Sequence, residues 1–424
     1  MAKIDNAKTY EHAYEQAKDI FALLGVDTDE ILNQLQKIPV SMHCWQGDDV
    51  GGFEGGGDIT DGGIMATGDY PGKPGNADEL RRDIETALSL VPGKHRLNLH
   101  AIYAETNGKK VDRNELEPTH FKNWCDWAKE QELGLDFNPS CFAHPMVKEG
   151  LTLASRDPNV RNFWIEHCIA SRKIGEYFGK ELNTACITNV WIPDGYKDTP
   201  ADRYAPREIL KQALDKVFAE KIDPKHNKDT VESKLFGIGS ESYVVGSFEF
   251  YLGYAIEKNV LLTLDSGHFH PTESIADKIS SVLLYIDEIM LHISRGVRWD
   301  SDHIVTLNDD SLAIARAVIQ NGFQSRVHAG TDFFDASVNR IAAWIIGMRS
   351  VLKAYLNALL EPSNTLKEAE KNGNLTKRLA MMEDIKSLPS GAIWNYYCLK
   401  NNVPPDGKWL EKVEQYEKEV LLKR

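Results

Sequence analysis

The 424-residue chain is poor in cysteine, lacks a long apolar run and carries no excess of positive charge. Each shortage removes a class of protein. The six cysteines, Cys44, Cys125, Cys141, Cys168, Cys186 and Cys398, stand far apart with no Cys-x-x-Cys pair, so neither a thiolate zinc cluster nor a thioredoxin-type motif is indicated. Most sit in apolar runs and read as buried free thiols, which suits a reducing compartment. No apolar stretch is long enough to span a bilayer, and Met1 to Asp5 opens without the apolar segment of a signal peptide. A cytoplasmic protein with no membrane partner is the expectation. The formal net charge of −14 opposes nucleic acid as a partner, because phosphate binding needs a basic surface.

Two familiar site motifs are also missing. The glycine-rich run Gly51-Gly52-Phe53-Glu54-Gly55-Gly56-Gly57-Asp58 is not followed by Gly-Lys-Ser/Thr and carries no dinucleotide fingerprint, so it reads as a mobile loop and not as a phosphate cradle. No Gly-x-Ser-x-Gly elbow appears, which leaves serine-nucleophile chemistry without support.

What is present is a regular alternation. Strand-like runs begin near Val40, Arg96, Leu133, Ala185, Val231, Val260, Ile289 and Arg326, with helical patterns between them. Eight βα units in this order predict a (β/α)₈ TIM barrel, an open doubly wound sheet being the alternative. The division expected is an N-terminal helical segment over 1–38, the barrel over 39–345 and a C-terminal helical extension over 346–424. That extension packs either on a neighbouring subunit or on the barrel's own flank.

Functional groups in such barrels gather where strands end. Glu232, Asp265, His292 and Asp332 fall at the ends of the fifth to eighth strand candidates. Four hard or borderline ligands on consecutive strands point to one metal site more than to coincidence. His268 leaves the sixth strand, and Asp300 and Asp302 leave the seventh, where residues two apart in an extended loop project to one side. Taken singly they read as caps or Asx turns; beside Asp265 and His292 they point to a second ion. Oxygen and imidazole ligands without thiolate admit Mn²⁺, Mg²⁺, Co²⁺ or Zn²⁺.

His100 ends the second strand, either as a half-buried structural histidine or as a substrate contact. Lys234, two residues beyond Glu232, faces the same side; it balances the acids, orients a substrate oxygen, or does both. Trp45, Trp191 and Phe137 also end strands and read either as core or as aromatic walls against a sugar ring or carbon chain.

Across essentially its whole length the chain resembles the L-rhamnose isomerases. The resemblance is carried by Val40-Ser41-Met42-His43-Cys44-Trp45-Gln46-Gly47-Asp48-Asp49, Asn98-Leu99-His100-Ala101-Ile102-Tyr103, Leu135-Asp136-Phe137-Asn138-Pro139-Ser140-Cys141, Val231-Glu232-Ser233-Lys234-Leu235-Phe236-Gly237, Asp265-Ser266-Gly267-His268-Phe269-His270-Pro271, Val297-Arg298-Trp299-Asp300-Ser301-Asp302-His303 and Asp332-Phe333-Phe334-Asp335-Ala336-Ser337. It implies a (β/α)₈ barrel, a homotetramer, and two divalent ions per subunit, Mn²⁺ or a relative. Glu232, Asp265, His292 and Asp332 would hold a structural ion. His268, Asp300 and Asp302, with Asp265 shared, would hold a catalytic one. His100, Lys234 and Trp191 would touch the sugar, and the reaction would interconvert L-rhamnose and L-rhamnulose.

Two ligand sets without an isolated glutamate placed as a carbon base favour a metal-assisted 1,2-hydride shift over an enediol route. His100 would assist ring opening, and Asp302 or Asp332 would orient a metal-bound water. Two other readings stand beside this one: an aldose isomerase of different sugar preference, and, in another class, a metal-dependent barrel phosphoesterase or nuclease. A sugar-binding protein without catalysis is a third.

Overall fold

The computed structural model describes residues 7–45, 51–54, 68–235, 242–297 and 302–424. Eight parallel strands close into a barrel: β1 (Val40–His43), β2 (Arg96–His100), β3 (Gly134–Asn138), β4 (Cys186–Val190), β5 (Asn227–Glu232), β6 (Leu261–Asp265), β7 (Ile289–Ile293) and β8 (Val327–Thr331). Each pairs with its neighbours in chain order, and β8 returns to β1, so the barrel itself has no open edge. The expected TIM barrel is present.

Helices α1 (Ala7–Ala22) and α2 (Thr28–Leu35) precede the barrel. One helix then follows each strand: α3 (Ala77–Leu88), α4 (Lys122–Glu130), α5 (Pro158–Leu182), α6 (Tyr204–Val217), α7 (Phe248–Lys258), α8 (Ile275–Val282), α9 (Asp309–Ile319) and α10 (Arg340–Leu360). Their limits are written in local chemistry. Asp157 caps α5 by accepting from the Asn159 N–H, Pro158 fills the first helical position, and Asn183 ends the helix at a φ of 53°. Asn308 and Ser311 cap α9 reciprocally, each side chain bonding the other's backbone N–H.

The expected boundary at 345/346 falls inside α10. That helix is the eighth of the barrel, packing against α9, α2 and α3, and only α11 (Ser363–Lys371) to α14 (Trp409–Glu419) lie beyond it. The continuous apolar character of α10 reflects burial on most sides, Trp344, Ile345, Met348, Leu352 and Leu356 among the residues enclosed.

β5 starts at Asn227 and not near Val231. Its first turns of pleat are polar because they serve the N-terminal end of the barrel: Lys228 pairs with Glu288, and Asp229 accepts two bonds from Arg172. Inside the same end, Asp136 accepts from Ser41, from the Ile187 N–H and from both Nε and Nη2 of Arg96. Burial opposes ionisation of Asp136, but the Arg96 charge and these donors outweigh it and hold the carboxyl below its usual range. The N-terminal end is thus closed by satisfied ion pairs, leaving the opposite rim for chemistry.

Candidate metal and sugar site

Strand register brings the ligand residues together. In the parallel ladder Asp265 lies directly beside His292, and His292 beside Gly330, one residue before Thr331 and two before Asp332. Glu232 ends β5 next to Thr263 of β6. One set of ligand atoms, from Glu232, Asp265, His292 and Asp332, and a second, from Asp265, His268 and Asp302, each fall within 4.8 Å of one another. Asp265 belongs to both. The resemblance implies one set of Glu232, Asp265, His292 and Asp332 and another of His268, Asp300 and Asp302 with Asp265 shared; Asp300 lies outside the described residues.

His292 Nδ1 stands 3.2 Å from Glu232 Oε2, 3.4 Å from Asp332 Oδ2 and 3.7 Å from Asp265 Oδ2. Ligand atoms about 2.1 Å from a common cation are separated by roughly 3 to 4 Å, so the spacing fits. Neither ring nitrogen of His292 makes a hydrogen bond, and neither does Asp265 Oδ2, although all three atoms are buried. Buried polar atoms left so are rare, and of these His292 Nδ1 and Asp265 Oδ2 face one another within the first set. Asp265 Oδ1 is taken by the Gly267 N–H at 2.7 Å, which turns Oδ2 toward both ligand sets. His268 Nδ1 lies 3.0 Å from both the Ser233 carbonyl and Glu232 Oε1, which can only accept, so Nδ1 carries a proton and Nε2 faces Asp265 Oδ2 at 3.8 Å.

The charges tell the same story. Glu232 resists burial and stays ionised well below the usual range because His292 and His268 face it. Burial and the neighbouring Asp302, Glu232 and Asp332 push Asp265 well above its range. Asp332 rises to about 7, through burial and the nearby Asp302 and Glu232, against the pull of His292. His292, despite burial, is raised to about 9 by Glu232, Asp332 and Asp302. A nest of carboxylates this frustrated is relieved by positive charge, and the donor set suits a divalent cation.

Glu232, His268, His292, Asp302 and Asp332 line a pocket, with Trp45, His100, Asn138, Asn189, Trp191, Lys234 and Phe334 around them. Lys234 Nζ lies 3.1 Å from His268 Nε2 and 5.1 Å from the Trp191 ring centre. His100 points Nδ1 at Ser140, and burial brings its basicity down to about 3, so the ring is neutral. Trp45 donates from Nε1 to Asp332 Oδ1 at 3.1 Å, so it braces a ligand as well as lining the wall.

Phe137 does not line the cavity. It pairs in register with Leu99, whereas Asn138 pairs with His100. Residues paired in a parallel ladder share a face, so His100 and Asn138 point inward while Leu99 and Phe137 point out. Phe137 is 0% exposed and meets Phe121 and Phe178 edge-on. It is core, and the substrate role expected for it is withdrawn; strand parity relative to His100 was the signal that places Asn138 there instead.

Sequence reasoning also passed over the polar residues that brace the ligands. Asn189 donates to Glu232 Oε2 at 2.5 Å and accepts from Thr263 at 3.0 Å. Ser294 donates to Asp302 Oδ1 at 3.2 Å. The glycine-rich run is described only as far as Glu54. There Phe53 donates to the Ile102 carbonyl and Glu54 accepts from Arg113, so its first residues are tied to the rim; Gly55 to Asp58 lie outside the described residues.

A family model for L-rhamnose isomerase (RhaA) matches residues 8–424. The chain belongs to the L-rhamnose isomerase family. It is 58% identical over 414 residues to the L-rhamnose isomerase of Yersinia pseudotuberculosis serotype IB (strain PB1/+), covering 98% of this chain and 99% of the relative. The Yersinia pestis (strain Pestoides F) enzyme is similar to the same extent, 58% over 98% and 99%. Among solved structures, an L-ribulose 3-epimerase is similar over 78% of this chain and 97% of its own, at 12% identity and a TM-score of 0.46. Family membership rests on the first two findings. No helix among the described residues is long and apolar enough to cross a membrane.

Proposed function

We propose that this protein interconverts L-rhamnose and L-rhamnulose, holding two divalent cations at the C-terminal rim of the barrel. The observation that carries the reading is the pair of ligand sets sharing Asp265, whose other members all line one pocket with Lys234 and Trp191, in a chain of this family. Glu232, Asp265, His292 and Asp332 would hold one ion, and His268, Asp302 and Asp265, with Asp300, the other. When bound, Mn²⁺, or Co²⁺, Mg²⁺ or Zn²⁺ in its place, supplies Lewis acidity toward the sugar oxygens and water of lowered pKa.

The chain's own residues do the rest. Aldose to ketose, the hydrogen on C2 moves to C1 and the proton on O2 moves to O1. The carboxylates on the cavity wall, Glu232, Asp302 and Asp332, belong to the ligand sets. Among the described residues no carboxylate there is spare for a carbon base, which favours transfer of hydrogen from C2 to C1 as hydride. Lys234, its ammonium between His268 and Trp191, orients a substrate oxygen. Asp302 and Asp332, at the cavity edge, are suited to hold the proton that passes between O1 and O2. Trp45, Trp191 and Phe334 supply apolar wall and exclude water. His100 contacts the sugar near its ring oxygen.

Assembly as a homotetramer fits the same reading. Helix α12 (Leu375–Ile385) has no buried residue, and Leu375 and Leu379 are 54% and 58% exposed on it, so the helices beyond the barrel offer apolar surface to a further copy. A cytoplasmic site of action is proposed with it. Light scattering of the purified chain tests the assembly.

Turnover of an aldose panel with metal titration tests the function: L-rhamnose should be isomerised with the highest kcat/KM. Preference for another aldose would move the chain to a different sugar. Turnover of phosphodiesters in place of sugars would support the phosphoesterase reading. Carbon-bound deuterium at C2 tests the route; its retention in the product supports the hydride shift, and full washout to solvent contradicts it.

A further inference from the structure

The hydrogen bonds behind His100 assign its proton. Ser140 is held on every side. Its N–H donates to His167 Nε2 at 2.9 Å, and its carbonyl accepts from Arg113. His167 Nδ1 lies 2.9 Å from the Arg113 carbonyl, which can only accept, so the His167 proton is on Nδ1 and Nε2 is free to receive the Ser140 N–H. The serine backbone is thereby fixed. Its hydroxyl oxygen accepts from the Ile102 N–H at 3.3 Å and lies 3.1 Å from His100 Nδ1.

That leaves one hydroxyl hydrogen to place. Among the described residues, no acceptor other than His100 Nδ1 is in reach of the Ser140 hydroxyl. If His100 carried its proton on Nδ1, the serine oxygen would accept twice and its own hydrogen would be buried without a partner, which buried hydroxyls avoid. The opposite arrangement satisfies every group. Among the described residues His100 Nε2 has no hydrogen-bond partner, and it is not one of the enclosed, unpartnered atoms, so it opens on the pocket that His100 lines.

We propose that Ser140 is a positioning residue that locks His100 in the tautomer protonated on Nε2, so that His100 meets the sugar as a hydrogen-bond donor and not as a base. This rests on the reading of the cavity as a sugar site, and it deepens the part given to His100. A donor at the ring oxygen helps ring opening by stabilising the departing oxygen; a bare Nε2 would have to take a proton instead. No covalent or redox step is added.

The test does not need turnover. In protein labelled with ¹⁵N in histidine, and with His100→Gln for assignment, the His100 ring should show a protonated Nε2 and an unprotonated Nδ1. Ser140→Thr keeps the hydroxyl and should keep that pattern. Ser140→Ala should give a mixture of tautomers and lower kcat/KM for L-rhamnose roughly tenfold, with Ser140→Thr restoring most of it. A wild-type ring protonated on Nδ1, or a spectrum unchanged in Ser140→Ala, overturns the proposal. If instead the tautomer is as stated and the wild-type enzyme turns over no L-rhamnose, the functional reading fails and the role of Ser140 stands.

Discussion

The carboxylate of Asp302 occupies the space that a side chain on Gly267 would need: a methyl carbon there would lie 1.8 Å from Asp302 Oδ1. Gly267 also donates its N–H to Asp265 Oδ1. One glycine therefore lets the loop after β7 close over the loop after β6 and turns the shared ligand Asp265 toward both ion sets.

Gly267→Ala should displace Asp302 by an ångström or more and lower kcat/KM about 100-fold. Circular dichroism should be unchanged, since the backbone there is not in a left-handed conformation. Steady-state kinetics against Mn²⁺ concentration checks it; wild-type activity in the variant would mean that Asp302 is not needed where it lies.

Asp302→Asn should reduce turnover to background while leaving thermal stability within a few degrees of wild type. Near-normal activity in this variant would remove Asp302 from the site.

Asn189→Ala should loosen Glu232, to which Asn189 donates while Thr263 holds Asn189 in place. Partners that orient a ligand are worth about 10- to 100-fold in metal affinity, so competition with a chelator should show Mn²⁺ released that much more readily. The melting temperature of the metal-free protein should change little.

Phe137→Ala should cost about 3 to 5 kcal/mol of stability, as for a large buried aromatic, and leave KM for the sugar unchanged. Denaturant unfolding and kinetics together separate this core role from the substrate contact first expected. That expectation shows what the sequence makes legible. Short apolar runs between helical patterns report each strand, and acids and histidines at their ends report the ligands, because both signals are local. Whether Phe137 or Asn138 faces inward depends on register against β2, which no single strand records. The same holds for Ser140, Asn189 and Gly267: their roles come from contacts across strands, and their residue types are ordinary in the sequence. The expected division at 345/346 lies inside α10, because that helix is apolar throughout and nothing local tells a helix of the barrel from the start of an extension.

The N-terminal end of the barrel should give acid sensitivity of known sign. Glu288 is brought from 4.5 down to about 2, chiefly by its hydrogen bond with His328, with Lys228 adding to it against partial burial. A carboxyl with a lowered folded pKa contributes stability that is fully present above about pH 4.5 and is lost as pH falls toward 2. Urea unfolding at pH 6, 4 and 3 should show a steeper loss for wild type than for Glu288→Gln. Parallel curves would contradict the assignment.

The most direct test of the account is to strip the protein of metal with a chelator and follow L-rhamnulose formation from L-rhamnose while Mn²⁺ is added back and bound metal is counted. No product should form without metal, and activity should return in full on restoration, saturating at two ions per chain. Turnover that survives exhaustive metal removal, or full activity with a single bound ion, would contradict it.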